Sequence, residues 1–253
     1  NYLPKIADST LNFGVCVSPF TGARDNAKIK IDNHKVSGNA LFAIDIENPS
    51  HILLADKKGL LGIVEIANNN VTINKLTTID KTRTVAELIF ENSSIDILEK
   101  SSQSKDIIKG VLDAGRIVLA ADTIGASQNM IDKAVAYAQE RKQFGRPIGT
   151  FQAVKHMCAE MAAELEPCYS LVWHAAHLYA ENTTEGKIMA SHAKSHTSEV
   201  GKMISKTAIE VHGGMGFTDL LGLHFWFKRI GFNRQLFGSP EQLREEAALL
   251  QFN

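Results

Sequence analysis

Cysteine is scarce in this chain: Cys16, Cys158 and Cys168 are the only three in 253 residues. None stands at a paired metal-type spacing, which argues against a disulfide framework and fits reduced thiols in a cytosol-like compartment. An excess of one charge is also missing, since 27 lysines and arginines face 28 aspartates and glutamates. No global field is available to draw nucleic acid or an anionic membrane surface, so any anionic ligand must be held locally. No uninterrupted apolar run approaches the length of a membrane span, and the first residues lack the basic start and apolar stretch of a secretory signal. These absences point to a soluble, cytoplasmic protein. The chain opens on Asn1 rather than methionine, as a processed product or the remainder of a longer polypeptide would.

The residues that are present fall into two segments of different period. From Leu11 to Asp96 short apolar runs recur at Ile29 and Ile31, Ile52 to Leu54, Leu61 to Ile66, Val71 to Leu76 and Val85 to Phe90. Turn formers at Asp32-Asn33, Ser37-Gly38 and Asn68 to Asn70 separate them, predicting an antiparallel β-sandwich or barrel. From Ser104 the period becomes helical. Ile117, Ile124, Ile131 and Ala138 recur every seventh residue, with Ala120, Ser127 and Ala134 between them, a stripe suited to close packing on a neighbouring helix. Gly145 and Pro147 are expected to end this helix and Thr150 to cap the next, which carries Val154, Cys158, Met161 and Leu165 and should kink or split at Pro167. A third helix is predicted from Glu185 to His212, stopped by Gly213-Gly214, then an aromatic run from Phe225 to Phe227 and a short last helix from Ser239-Pro240. The fold class is therefore α+β: a β-domain over residues 1–101 followed by an up-down four-helix bundle over 102–253.

Several polar groups crowd the join between the first two long helices. Arg141, Lys142 and Arg146 complement a helix C-terminus without any ligand, but Phe144 beside them and Gln152 in the next helix add a flat ring and a polar edge. Together they suggest a flavin site in which Arg141 meets a pyrophosphate. The run Ile209-Glu210-Val211-His212-Gly213-Gly214-Met215-Gly216-Phe217 has three glycines in four residues, allowing a dinucleotide to approach the backbone as well as capping a helix. No strand precedes it, so it is not a dinucleotide-fold fingerprint. His174 with His177, and His192 with His196, lie about one helical turn apart, but no third ligand completes either set and no metal is assigned. Ser239-Pro240-Glu241-Gln242 reads as a helix start, with serine as cap and glutamine at the capping-box position.

Gln139 to Gly145 followed by Ile148 to Gln152, and Val211 to Phe217 further on, resemble the two C-terminal signatures of the acyl-CoA dehydrogenases. The resemblance covers nearly the whole chain and implies FAD as cofactor, an acyl-CoA as substrate and assembly with itself or a related subunit. It makes residues 1–101 the middle β-domain and 102–253 the C-terminal domain; the family's N-terminal helical domain has no counterpart in this sequence. Carried over, Arg141, Phe144 and Gln152 meet FAD across a subunit interface, while Glu210, where the family usually has glutamine, joins Gly213 and Gly214 at the ADP portion. Val15 to Ser18 match a flavin-contacting segment, with Ser18 on the flavin side. Phe42 to Asp45 replace a Trp-Ile-Thr-Asn pattern, leaving Phe42 to stack on the ring but Ile44 without a hydroxyl. Pro19 to Asp25 depart from the usual Glu-Pro-Gly-Ala-Gly-Ser-Asp; Arg24 here and Arg116 are the substrate-side candidates, Asp113 being the companion acid of Arg116.

In that family a glutamate removes the substrate α-proton while the β-hydrogen leaves as hydride to the flavin. One usual position for it falls on Phe237 in Gln235-Leu236-Phe237-Gly238-Ser239, the other on Gly115. Three readings stand open. Glu241 or Asp113 is a displaced base; a partner subunit supplies the base; or the chain is a noncatalytic structural or regulatory relative.

Overall fold

The computed structural model describes residues 2–20, 28–67, 69–102, 106–181 and 183–252. Asn68, Ser104 and the Thr21 to Asp25 stretch with Arg24 lie outside the described residues. The chain forms two compact units, 1–111 and 112–253.

After a short helix α1 (Leu3–Ala7), the first unit carries β1 (Phe13–Cys16), β2 (Lys30–Asp32), β3 (Lys35–Ile44), β4 (His51–Ala55), β5 (Leu61–Glu65), β6 (Val71–Leu76), β7 (Val85–Ser94) and β8 (Asp96–Ile97). They form one sheet in the order β6-β7-β3-β1-β4-β5-β8, with β2 on β3. The alternating pattern predicts antiparallel pairing throughout, and one pair departs from it: β1 and β4 run parallel, Phe13 opposite His51 through Cys16 opposite Leu54. The reason lies in the β2–β3 hairpin, which turns at Asn33 and His34, both with positive φ. β3 then lies antiparallel on β1, and β4 re-enters on the free edge of β1 in the same direction. Cys16, Val36, Ala40, Ile52, Leu54, Val64, Leu88 and Phe90 form the core of this unit.

The second unit is helical. Helix α2 (Asp106–Glu140) is followed by strands β9 (Lys142–Gln143) and β10 (Arg146–Pro147), α3 (Gln152–Ala180), α4 (Thr184–His212), α5 (Leu223–Gln235) and α6 (Pro240–Phe252). The seven-residue stripe of α2 is buried along its length, from Ile117 to Ala138, and joins Met161, Leu165, Ala193, Ile204 and Ile230 in one core. Small residues on the stripe admit close approach. A Cβ on Gly201 of α4 would lie 2.6 Å from Thr123 Cγ2 of α2, so this crossing requires glycine. Thr183 caps α4, its hydroxyl accepting the Gly186 N–H at 3.1 Å.

Three local expectations are corrected. Pro167 does not break α3; the residue is exposed while Leu165 and Cys168 around it are buried, so packing on both sides holds the helix together. Thr150 does not cap α3, because its hydroxyl donates to Pro147 O at 2.7 Å inside a turn of 3-10 helix and Phe151 takes the cap position. The aromatic run Phe225 to Phe227 lies within α5, so the bundle ends in two short helices rather than one. Phe225 and Phe227 are exposed and Asn233 is buried, which blurs the apolar period that marks a helix. No helix among the described residues is long and apolar enough to cross a membrane.

Candidate functional site

In the β unit, Ser18 and Phe42 have opposite fates. Ser18 is buried; its hydroxyl donates to Leu41 O and lies 3.1 Å from Cys16 Sγ, so it is turned inward. Phe42 sits in an irregular stretch of β3 with φ +55 and presents nearly half of its surface, a strained backbone that projects a ring outward. Ile44 is buried on the same strand.

In the helical unit, α2 ends at Glu140, before the glycine and proline expected to stop it. Gly145 and Pro147 instead belong to the β9–β10 hairpin, where Arg146 pairs with Gln143 and Pro147 with Lys142. Its two central residues, Phe144 (φ +52) and Gly145 (φ +78), both take positive φ. A two-residue hairpin loop demands this, and glycine or asparagine normally supplies it at the first position. Phenylalanine there is strained, and its ring is 92% exposed. The Ile148 N–H donates to Arg141 O at 2.8 Å, fixing the hairpin root. Arg146 lies over the Phe151 ring at 4.2 Å, while Arg141, Lys142 and Gln152 are exposed. The hairpin thus presents a cationic tip with an exposed aromatic ring, Phe144, set edge-on to Phe151 at 6.1 Å between centroids.

The glycine segment lies close to the same helix end. Tyr137 of α2 stacks on His212 of α4 with centroids 4.5 Å apart, and His212 Nδ1 is 2.7 Å from Ala208 O. This stack joins the two sequence motifs and was not anticipated from the sequence, although Tyr137 stands inside the first and His212 inside the second. Gly213 (φ +59) and Gly214 are exposed with open space around them, and Glu210 is exposed one turn earlier. A bare backbone is therefore accessible at the end of α4.

A second cluster is buried deeper. Arg116 of α2 donates from Nη1 to Asp113 at 3.0 Å, from Nη2 to Glu246 of α6 at 2.7 Å and from Nε to Phe237 O at 3.1 Å. Burial pushes the Asp113 carboxyl up, and Arg116 opposes that shift. Phe237 has φ +60, its backbone is pinned by Arg116, and its ring covers Gly115: a Cβ on that glycine would stand 2.6 Å from Cε2. Glu241 is exposed and bound to Arg234 at 2.8 Å. Its own backbone amide, the Ser239 hydroxyl and Arg234 hold its carboxyl down at about 2. Gln242 bonds Glu246 at 3.0 Å instead of closing a capping box.

A sequence model described as "Acyl-CoA dehydrogenase, C-terminal domain" matches residues 105–248. The chain belongs to the acyl-CoA dehydrogenase family. It is 34% identical over 205 residues to acyl-CoA dehydrogenase FadE34 of Mycobacterium tuberculosis, covering 80% of this chain and 28% of that protein. It is 29% identical over 248 residues to the mitochondrial short/branched chain specific acyl-CoA dehydrogenase of Bos taurus, covering 90% of this chain and 56% of that one. The chain therefore spans between about a quarter and just over half the length of these relatives. The butyryl-CoA dehydrogenase structure from Megasphaera elsdenii superposes with a TM-score of 0.88 at 19% identity, over 100% of this chain and 71% of that one, and shares the fold. In this family member, the two positions at which the resemblance expects a glutamate, Gly115 and Phe237, pack directly on each other.

Proposed function

We propose that this protein takes part in flavin-dependent α,β-dehydrogenation of an acyl-CoA thioester, as one subunit of a homo- or heteromeric assembly whose partner supplies the catalytic carboxylate. The observation that carries the reading is the Phe237 ring seated on Gly115. Neither position holds an acid, and the three acids nearby are engaged: Asp113 and Glu246 with Arg116, and Glu241 with Arg234. A carboxylate held at about 2 is a poor acceptor for a carbon-bound proton, which counts against Glu241 as a displaced base. The names of the relatives support the reaction class.

The chain's surfaces fit FAD. Arg141 offers its guanidinium to a pyrophosphate, Phe144 and Gln152 border the same group, and the open backbone at Gly213 and Gly214 with Glu210 beside it admits the ADP portion. Taken within the β unit by itself, the exposed Phe42 is a candidate ring contact for the flavin. FAD would accept the β-hydrogen as hydride. Ser18, with its hydroxyl turned inward, serves by shaping the backbone, and Arg116 acts as a positioning residue behind Phe237 rather than as a substrate contact. A cytoplasmic location accompanies this reading. The vacant base positions also favour a second reading, a noncatalytic subunit that keeps the fold and helps hold a partner's FAD.

The flavin reading is tested on protein purified with its native partners. The expected preparation is yellow, and Arg141→Ala weakens FAD retention about 10- to 100-fold, the loss of one charge-assisted contact worth ~1.5–3 kcal/mol. A colourless complex, or unchanged retention in Arg141→Ala, would overturn it.

A further inference from the structure

Lys194, in the middle of α4, is fully buried. Its Nζ donates to Ser198 Oγ at 3.2 Å and to Arg234 O at 3.3 Å, in the last turn of α5. The Ser198 hydroxyl passes its own proton on to Lys194 O at 2.6 Å. Among the described residues no carboxylate pairs with Lys194. A neutral amine has two N–H donors and an ammonium three. Among the described residues the site supplies two acceptors, which match the two N–H donors of the neutral form and leave a third N–H of the charged form without a partner.

The surrounding charges favour the same form. Arg116 of α2 and Arg234 of α5 act on Lys194 as like charges. Their counter-charges are committed to them: Asp113 and Glu246 to Arg116, Glu199 and Glu241 to Arg234, with Lys187 acting on Asp113. The place Lys194 holds is mechanical. The Arg234 carbonyl is one of the orphan acceptors at the end of α5, and the chain from there to Gly238 makes the corner into α6, with Phe237 and Gly238 both at positive φ. Arg116 grips that corner at Phe237 O, and Lys194 grips it at Arg234 O.

We propose that Lys194 is carried in the core as a neutral amine and clasps the end of α5 in that form, so that the α5–α6 corner is held by a proton-sensitive latch. Burial first, then Arg116 and Arg234, bring the lysine down from 10.5 to about 7. Between those two values the opened chain binds one more proton than the closed one, so the closed corner gains stability as pH rises from about 7 to 10.5. Below about 7 both forms are charged and the dependence levels off. This inference rests on the geometry of α4 and α5 and is independent of the flavin reading.

The test is a titration of the full chain labelled at lysine Cε and followed by NMR, in which one lysine resonance moves with a midpoint near neutrality, well apart from the rest. If all lysine resonances move together near their ordinary value, the proposal fails. A second measurement follows the amides of Leu236 and Gly238, which donate to Phe232 O and Gln235 O. Relative to intrinsic exchange, their protection should fall about fivefold from pH 8 to pH 7. Lys194→Met should remove that dependence; equal dependence in both proteins would overturn the latch. Should the variant not fold, the lysine titration decides alone.

Discussion

Arg116→Met lowers the unfolding free energy of the protein by about 3–5 kcal/mol, the cost of removing one partner from a buried ion pair. Three contacts go together: the Asp113 carboxylate, the Glu246 carboxylate and Phe237 O. Asp113 dominates because it is as buried as Arg116, whereas Glu246 is partly exposed and keeps water. Burial already pushes the Asp113 carboxyl upward, and Arg116 is what opposes that shift. Without the guanidinium the carboxyl rises further. An acid whose folded value is raised loses stability as pH climbs through that value, so the deficit of Arg116→Met is largest near neutrality and shrinks on acidification, once Asp113 is protonated. Urea unfolding across pH measures this, with an unchanged m-value showing that the denatured state is not the cause. Asp113→Asn added to Arg116→Met should recover part of the loss.

Gly115→Ala behaves oppositely in two backgrounds. Alanine in a helix interior is worth about 1 kcal/mol over glycine, and Gly115 is well inside α2. Against this, the new Cβ would lie 2.6 and 2.8 Å from two carbons of the Phe237 ring. The ring has little freedom to retreat, because its backbone is held by Arg116 and followed by Gly238 at φ +113. Overpacking of this kind costs ~1–3 kcal/mol, so Gly115→Ala is destabilising in the wild-type protein. In a Phe237→Ala background the obstruction is gone and the same change becomes stabilising. A double-mutant cycle should return the overpacking term as its coupling energy, about 1–3 kcal/mol. Additive effects would mean that ring and glycine are not in contact.

How much of this was legible follows from which interactions are local. The stripe from Ile117 to Ala138 was readable because helical period and burial are tied by geometry, and the β-then-α order was readable from the change of period. The α5 helix escaped because its exposed phenylalanines and buried Asn233 contradict the usual division of polar and apolar residues. The parallel β1–β4 pair escaped because pairing between strands that are not consecutive is decided by the whole sheet. At the site, Arg141 and Phe144 could be singled out from residue types, but the hairpin that lifts them off the helix end depends on two positive φ values, one of them at a phenylalanine. Arg24 lies outside the described residues. The contact of Phe237 with Gly115 joins residues more than a hundred positions apart. Sequence comparison finds each position lacking an acid, but only the fold brings them together.

The most direct test of a partner-supplied base is flavin bleaching by a panel of acyl-CoAs, recorded for this chain loaded with FAD and again after its native partner is added. The expected result is no bleaching from the chain alone and bleaching once a carboxylate-bearing subunit is present. Bleaching by the chain alone, abolished by Glu241→Gln or Asp113→Asn, would contradict it.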